Sequence, residues 1–526
     1  MTHTPHSDIV AAYLAALRAV ADCRLPDADV MSQLGRLIDL SGDLQRLEGI
    51  DAAIAAGDRL LTREQTPVER ALLHYFLGNA WATRWSLSRS GWERAAWEQP
   101  EIDRQIVHLR SALAVGDGGA LPPERLTQVL TNLGNLMSHC GRLIEAVAYW
   151  DRALALTPSH GMARGNRGYG LEQLARQSYD TGHQGLLLHG AREEIRRALA
   201  GPLDPGARDA FRAALSRIEG AVPPGFFEQS FDYDWPTDMP DDERGYRSWA
   251  LNERLFLNDL NALGPTPIAA ADVLVLPTLV TPLDAGPAPF GFFNQLKQEY
   301  VSARYFLFEG LHATGPHFSD FDVTLLNTLD YPAYGLAVER TRVAFRMAYS
   351  LLDKVAFFLN DYLALGIPET HVSFKKIWFE RKRPFGIRHE ISRRRNMPLL
   401  GLFWLSKDLF ENDPGFRDAL EPDARELEVI RQHLEHKYLK VHDAEWDGVT
   451  EPRDALEAGQ VDTLAHSLRR SDFIRRTLHM LRLARAALIY LAGAVYIEEA
   501  ERAHDPSAPQ IALPIQLDTV EDDWKY

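Results

Sequence analysis

The sequence contains only two cysteines, Cys23 and Cys140, among its 526 residues. So few thiols exclude a disulfide-stabilised scaffold and a cysteine-rich zinc site. The longest nearly unbroken apolar run, Ala486 to Ile497, is shorter than the roughly 20 residues that a membrane-spanning helix needs. The N-terminus lacks a basic segment followed by an apolar block, so we expect no secretory signal. Together these absences predict a cytoplasmic protein that does not enter a membrane.

Positive charge is also scarce, because 57 Lys and Arg stand against 73 Asp and Glu, a net charge of −16. Such an acidic chain is not a general nucleic-acid coat, since phosphate contacts need a positive surface. The exception is residues 375–395, which hold nine Lys or Arg and two Glu. This basic stretch has two interpretations, a solvated face or a rim that binds RNA. The residues that would contact RNA are Arg381, Lys382, Arg383, Arg393, Arg394 and Arg395.

The first 221 residues are predicted to form a domain of helical repeats. Stretches with helical periodicity alternate there with short Gly/Pro segments. Gly134, Ala146, Trp150 and Pro158 fall at the offsets of a tetratricopeptide (TPR) repeat, and Gly168 follows Gly134 by the TPR period of 34 residues. The small residues would lie where two helices cross closely, and the indole would fill the groove beside them. We therefore predict TPR-like repeats, with a generic helical bundle as the alternative.

The rest of the chain is divided by changes in composition. Residues 222–289 are rich in Pro, Asp and aromatic residues at their start and predict a partly irregular connector. Residues 290–503 return to helical periodicity and predict a bundle. Its four helices would span about 337–365, 397–409, 424–441 and 472–502. Residues 504–526 contain three prolines and end acidic, which predicts an extended tail. The predicted fold class is all-α.

The chemically informative segment is the predicted third bundle helix, ARELEVIRQHLEHKYLKVHD. The chain has no glycine-rich phosphate loop, H-E-x-x-H zinc motif or nucleophile-elbow serine. An apolar stripe that would face the core consists of Leu427, Ile430, Leu434, Tyr438 and Val441. His436 projects about 160° from the centre of that stripe. It shares this second face with Val429, Gln432 and Leu439, which predicts that a partner covers the face.

Arg431 and His436 are five positions apart, about 140° around the helix axis. They can bracket a substrate but cannot easily pair with each other. A guanidinium for phosphate charge beside an imidazole that titrates near neutrality is the minimal set for phosphodiester cleavage without a metal. The spacing alone is a weak signal in a chain with 18 histidines. Arg383 and His389 also fall within such spacing, but Pro384 between them predicts a loop.

The pattern R-QHLE-H on the third helix of a four-helix bundle resembles the HEPN family (higher eukaryotes and prokaryotes nucleotide-binding). That family's hallmark is an arginine, often followed by a polar residue, with a histidine four to six positions on. Gln432 stands where the family more usually has Asn, Asp or His. Three segments are similar to the HEPN branch with N-terminal TPR repeats: HFSDFDVTLLNTLDYPAYGL, RMAYSLLDKVAFFLNDYL and WALNERLFLNDLN. The resemblance therefore covers about Trp249 to Glu501.

The resemblance implies a metal-independent endoribonuclease that needs no cofactor, of the kind found in toxin–antitoxin and anti-phage systems. By position, Arg431 would hold the scissile phosphate, His436 would be the general acid and base, and Gln432 would orient them. Attack by the ribose 2′-OH would leave a 2′,3′-cyclic phosphate, which makes RNA the substrate. Active HEPN domains dimerise so that the motifs of two protomers meet in one cleft, which implies a homodimer.

The sequence leaves three questions open. Tyr438 gives the segment R-QHLE-H-K-Y, which resembles HepT-type HEPN toxins whose tyrosine is AMPylated by a partner nucleotidyltransferase. The alternative is an ordinary core tyrosine, since Tyr438 falls on the predicted apolar stripe. A non-enzymatic alternative to the ribonuclease is a TPR receptor with a degenerate HEPN module that only dimerises or binds a nucleotide. A third possibility is that the TPR domain binds a protein or peptide and gates the nuclease.

Overall fold

The computed structural model describes residues 5–22, 27–91, 96–231, 233–281, 286–328, 330–380, 386–410, 424–443, 464–503 and 516–525. Helices make up most of them, which confirms the all-α prediction. The N-terminal helices are α1 (Pro5–Ala21), α2 (Asp27–Asp43), α3 (Leu47–Leu61), α4 (Pro67–Ser88), α5 (Pro100–Val115), α6 (Pro123–His139), α7 (Leu143–Leu156), α8 (Gly161–Gln177), α9 (Thr181–Leu199) and α10 (Pro205–Gly220). The connector contains α11 (Asp241–Asn252).

Helices α6 and α7, and then α8 and α9, pack as successive pairs. A Cβ atom at Gly134 of α6 would lie 2.5 Å from the indole nitrogen of Trp150 in α7. A Cβ atom at Gly168 of α8 would likewise lie 2.6 Å from Ile195 in α9. Both positions therefore need glycine for the helices to approach, as the sequence predicts for Gly134. The classification of these pairs as TPR repeats stays a prediction.

The C-terminal part is a bundle around one long apolar helix. Its helices are α12 (Ala288–His312), α13 (Leu336–Tyr362), α14 (His389–Ser392), α15 (Met397–Phe410), α16 (Ala424–His436) and α17 (Arg470–Ala503). Helix α17 packs against α12, α13 and α15. It is long and apolar enough to cross a membrane by length and composition, but its most apolar window is 83% buried inside the fold. The core helix of a soluble protein passes the same test, so this helix is weak evidence for a membrane span.

The predicted third bundle helix ends five residues earlier than expected. Helix α16 stops at His436, and Tyr438–His442 form strand β1. This strand pairs in parallel with β2 (Ala465–Arg469). The prediction that Tyr438 and Val441 continue the helical stripe is therefore wrong. Pairing with a distant strand overrides the local helical periodicity, and the periodicity carries no information about that strand.

The core runs without interruption from α4 through the connector to α17, while α1–α4 enclose a smaller core of their own. The turn between α6 and α7 docks on α15. A Cβ atom at Gly401 would lie 2.6 Å from the carbonyl oxygen of Gly141. Beside this contact, Arg110 and Arg142 donate hydrogen bonds to the buried carboxylate of Asp408. The N-terminal helices and the bundle are thus joined by apolar and ionic contacts.

Candidate functional site

Helix α16 presents one face to the bundle and the other to solvent. Leu427, Ile430 and Leu434 are buried against α13 and α15, as the apolar stripe predicts. The three predicted catalytic residues Arg431, Gln432 and His436 are all exposed. They occupy the last turns of the helix, where five residues span about 7.5 Å along the axis. The structure therefore brings a guanidinium, an amide and an imidazole to one exposed helix end.

Arg431 rests on a buried aromatic ring. Its guanidinium carbon lies 5.1 Å from the ring centroid of Tyr349, a residue of α13. Burial raises the pKa of Tyr349, and the Arg431 charge only partly opposes this, so the phenol is neutral. A cation above an aromatic face is attracted by the electron density of the ring. Tyr349 therefore restrains one face of Arg431 while the side chain stays exposed.

Two arginines of α13 hold the backbone that follows the site. Arg346 donates a hydrogen bond to the carbonyl of Leu434, and its guanidinium lies 3.8 Å from the carboxylate of Glu435. Arg342 donates to the carbonyl of Leu439 over 2.7 Å. Cations at a helix C-terminus stabilise its unpaired carbonyls and its dipole. The sequence reasoning missed both arginines.

His433 differs from His436 in its surroundings. It is half-buried, its Nδ1 lies 2.8 Å from the carbonyl of Val429, and its ring centroid is 5.3 Å from that of His466. His466 lies 3.2 Å from the Glu426 carboxylate, and burial, helped by the neighbouring His433 and Arg476, lowers its pKa although Glu426 opposes the shift. In the described part of the chain, no group of three or more His, Cys, Asp or Glu could hold a metal ion. His436 is therefore the histidine of α16 that is placed to meet a substrate.

The six predicted RNA-contacting residues differ in whether the structure describes them and in how exposed they are. Arg381, Lys382 and Arg383 lie outside the described residues. Arg393 and Arg395 are exposed just before α15. Arg394 is instead bound within the protein, because it donates to the Glu498 carboxylate and, over 2.7 Å, to the Glu390 carbonyl. Of the six predicted RNA contacts, the structure therefore leaves Arg393 and Arg395 accessible.

Tyr438 is not a core residue. It begins β1, is 44% exposed, and has the Lys440 amino group 5.9 Å from its ring centroid. The expectation that it packs in the core is wrong, because the helix on which that expectation depended has already ended. Its exposure meets one requirement of the AMPylation hypothesis, which stays a prediction.

Comparison with known families bears on the bundle alone. Residues 280–498 match the LA2681-like HEPN family. This range contains α12 to α16 and most of α17, together with every predicted catalytic residue. The chain therefore carries a C-terminal HEPN domain, as the sequence resemblance predicts. No curated protein and no solved structure gives a significant match to the chain.

Proposed function

We propose that this HEPN domain is an endoribonuclease in which Arg431, Gln432 and His436 cleave RNA without a metal ion. The observation that carries the proposal is their joint exposure at the end of α16, away from the bundle core. HEPN domains are commonly ribonucleases, and the three side chains supply charge neutralisation, hydrogen bonding and proton transfer.

The chemistry follows from these groups. The ribose 2′-oxygen attacks the adjacent phosphorus, the bond from phosphorus to the 5′-oxygen breaks, and a 2′,3′-cyclic phosphate and a 5′-hydroxyl remain. One imidazole accepts the 2′-hydroxyl proton, and a second acid returns a proton to the leaving 5′-oxygen. Arg431 neutralises charge on the non-bridging phosphate oxygens. Gln432 can hydrogen-bond to the phosphate and orient it.

Two acid–base groups on opposite sides of the phosphorus favour a homodimer. His433 is half-buried beside His466 and faces a backbone carbonyl, so one α16 offers His436 for only one of the two roles. A second copy of His436 would supply the other. The dimer surface predicted from the second face of α16 needs correction, because Leu439 is buried in β1. This removes Leu439 alone from that surface, since Val429 is half-buried and Gln432 and His436 are exposed.

The proposed setting is a toxin–antitoxin or anti-phage system, with the N-terminal helices binding a protein or peptide that gates cleavage. The support is the direct contact of those helices with the HEPN domain. Lys407 of α15 lies 2.7 Å from the carboxylate of Asp103 in α5, and the buried Arg110 reaches Asp408. A partner that shifts α5 or α6 would therefore act on a helix of the HEPN domain.

The test is cleavage of total RNA by purified protein in the presence of EDTA, with the ends mapped. We expect wild type to leave cyclic phosphate ends. His436→Ala should lose on the order of a hundredfold or more in rate, and Arg431→Lys should restore little, since it lacks the planar fork. His371→Ala, at an exposed histidine of the same domain, is the matched control.

Three results would contradict the proposal. Loss of cleavage in EDTA with rescue by magnesium would remove the metal-free mechanism. Unchanged cleavage by both site variants would move the active site elsewhere. Absence of RNA cleavage by wild type under all conditions would favour the receptor with a degenerate HEPN module.

A further inference from the structure

The segment between α12 and α13 exposes an unusual number of large apolar side chains. We refer to this segment, residues 313–335 without residue 329, as the arm. Phe318 is 77%, Leu326 86% and Tyr331 72% exposed. The other exposed apolar residues include Phe321, Leu325 and Tyr334. Monomeric soluble proteins rarely expose so much apolar surface in one place, and such patches mark interaction sites.

The arm is held in a fixed place beside the candidate site. The Asp330 carboxylate accepts a hydrogen bond from Lys440 over 2.6 Å, and the Ala333 N–H donates to the Val441 carbonyl over 2.7 Å. Both partners belong to β1, the strand that begins two residues after His436. The Asp320 carboxylate accepts from the N–H of Leu336 at the start of α13. The apolar side chains are therefore displayed by an anchored backbone.

Charge indicates what kind of molecule the arm binds. It carries Asp320, Asp322 and Asp330 and no Lys or Arg, which disfavours RNA because phosphates need cations. Two of these carboxylates are already bonded inside the protomer, to backbone N–H groups and to Lys440. Lys440 balances the charge of Asp330, and backbone N–H groups hold the carboxylate of Asp320 beside the start of α13. The exposed apolar side chains outnumber the remaining carboxylates, so apolar contact with a second copy is the interaction that this surface favours.

We propose that the arm is the surface through which a second copy of this chain docks. Exposed aromatic side chains contribute about 150–250 Å² each when fully buried. From the exposed fractions of its apolar side chains, the arm would bury roughly 800 Å² of accessible surface when a partner covers it. One partner usually contributes about this area to a stable interface. In a two-fold dimer the same patch contacts its own copy. No other described segment of the domain offers a comparable apolar surface.

The position of the arm connects this interface to catalysis, and this step alone depends on the proposed function. Because the arm is bonded to β1, docking two arms places the strand that follows each His436 beside the two-fold axis. Each protomer then brings its α16 end to the same interface. The dimer therefore provides the second imidazole that a single α16 does not offer.

The test compares the mass in solution of wild type and variants at micromolar concentration by light scattering. Phe318→Asp with Leu326→Asp should dimerise at least tenfold more weakly at an unchanged melting temperature, because both side chains are exposed. Leu156→Asp, at an apolar residue exposed to 43% in α7, is the matched control and should stay dimeric.

The outcomes separate this proposal from the nuclease proposal. A monomeric wild type, or an arm variant as dimeric as wild type, overturns the arm interface. A dimeric arm variant with a raised KM for RNA overturns it too and assigns the aromatic residues to base stacking. RNA cleavage by a monomer removes the interface and keeps the nuclease. If wild type is dimeric, the arm variant dimerises more weakly and wild type never cleaves RNA, the arm interface is supported and the nuclease proposal is contradicted.

Discussion

At the scale of single residues, the contact between Arg431 and Tyr349 is the one that bears most directly on the proposed RNA cleavage. The guanidinium lies over a ring buried in the bundle, so the ring limits where the charge can go. A cation–π contact at an exposed site is worth about 0.5–1 kcal/mol. That is small beside the free energy of folding, but it selects among rotamers of a long side chain. Tyr349 is thus a positioning residue.

Tyr349→Leu should lower kcat/KM for RNA by about fivefold, the equivalent of about 1 kcal/mol. Tyr349→Phe should cleave like wild type, because it keeps the ring and fills the same space. Single-turnover cleavage and melting temperature would be measured on both. A leucine variant that folds normally and cleaves at the wild-type rate would show that the ring does not position Arg431.

The residues that the sequence predicts and those that it misses differ in how local their signal is. Arg431 and His436 share one helix, so the apolar stripe of that helix is enough to place both of them off its buried face. Arg346 donates to a carbonyl 88 positions later in the chain, and nothing in its own neighbourhood indicates that partner. Contacts made by long-range packing of α13 on α16 could not be read from either helix separately.

At the scale of elements, the difference between local and long-range signals explains why the crossing of α6 and α7 was predicted correctly and the end of α16 was not. Gly134 and Trp150 lie in one short helix pair, so their volumes predict the helix crossing, and the structure has it. The end of α16 depends on β2, whose first residue pairs with Tyr438 across 27 positions. Residues 438–442 fit a helical stripe and a strand equally well, and only the partner strand decides between them.

The pair of α4 and α5 buries two histidines against each other, with 3.0 Å between the Nδ1 atoms of His74 and His108. Burial lowers the pKa of His74 to about 4 and, together with the neighbouring His74, that of His108 to about 3. An unfolded histidine has a pKa of about 6.5. The unfolded chain therefore binds more protons as pH falls below that value, and stability declines towards the folded pKa values.

We therefore expect the melting temperature of wild type to fall as pH is lowered from 7 to 5. His108→Gln keeps a polar side chain of similar size but cannot take a proton, so its melting temperature should fall less over this range. His371→Gln, at an exposed site, should follow the wild-type curve. Parallel curves for wild type and His108→Gln would show that the histidine pair is not the source of acid sensitivity.

At the scale of the whole molecule, a buried ionic cluster joins the N-terminal helices to the HEPN domain. Arg110 and Arg142 both reach the Asp408 carboxylate, and these three side chains are almost completely buried. Burial alone would lower the pKa of Arg142, but Glu145 and Asp408 hold it above its ordinary value. Tyr490 of α17 donates to the Glu145 carboxylate beside them. The N-terminal helices and the HEPN domain thus each contribute buried charges whose ion-pair partners lie in the other part.

Asp408→Asn should lower the free energy of unfolding by about 3–5 kcal/mol, because it removes the buried negative charge that Arg110 and Arg142 share. Asp51→Asn breaks the ion pair between Asp51 and Arg84. In wild type, Oδ1 of Asp51 lies 3.0 Å from Nε of Arg84, and both side chains are partly exposed. That control should cost under about 1 kcal/mol. Urea unfolding followed by circular dichroism compares the two variants with wild type. Equal small losses would mean that the cluster is solvated in practice. A large loss for Asp408→Asn alone would show that the N-terminal helices and the HEPN domain stabilise each other, as the proposed gating by a bound partner requires.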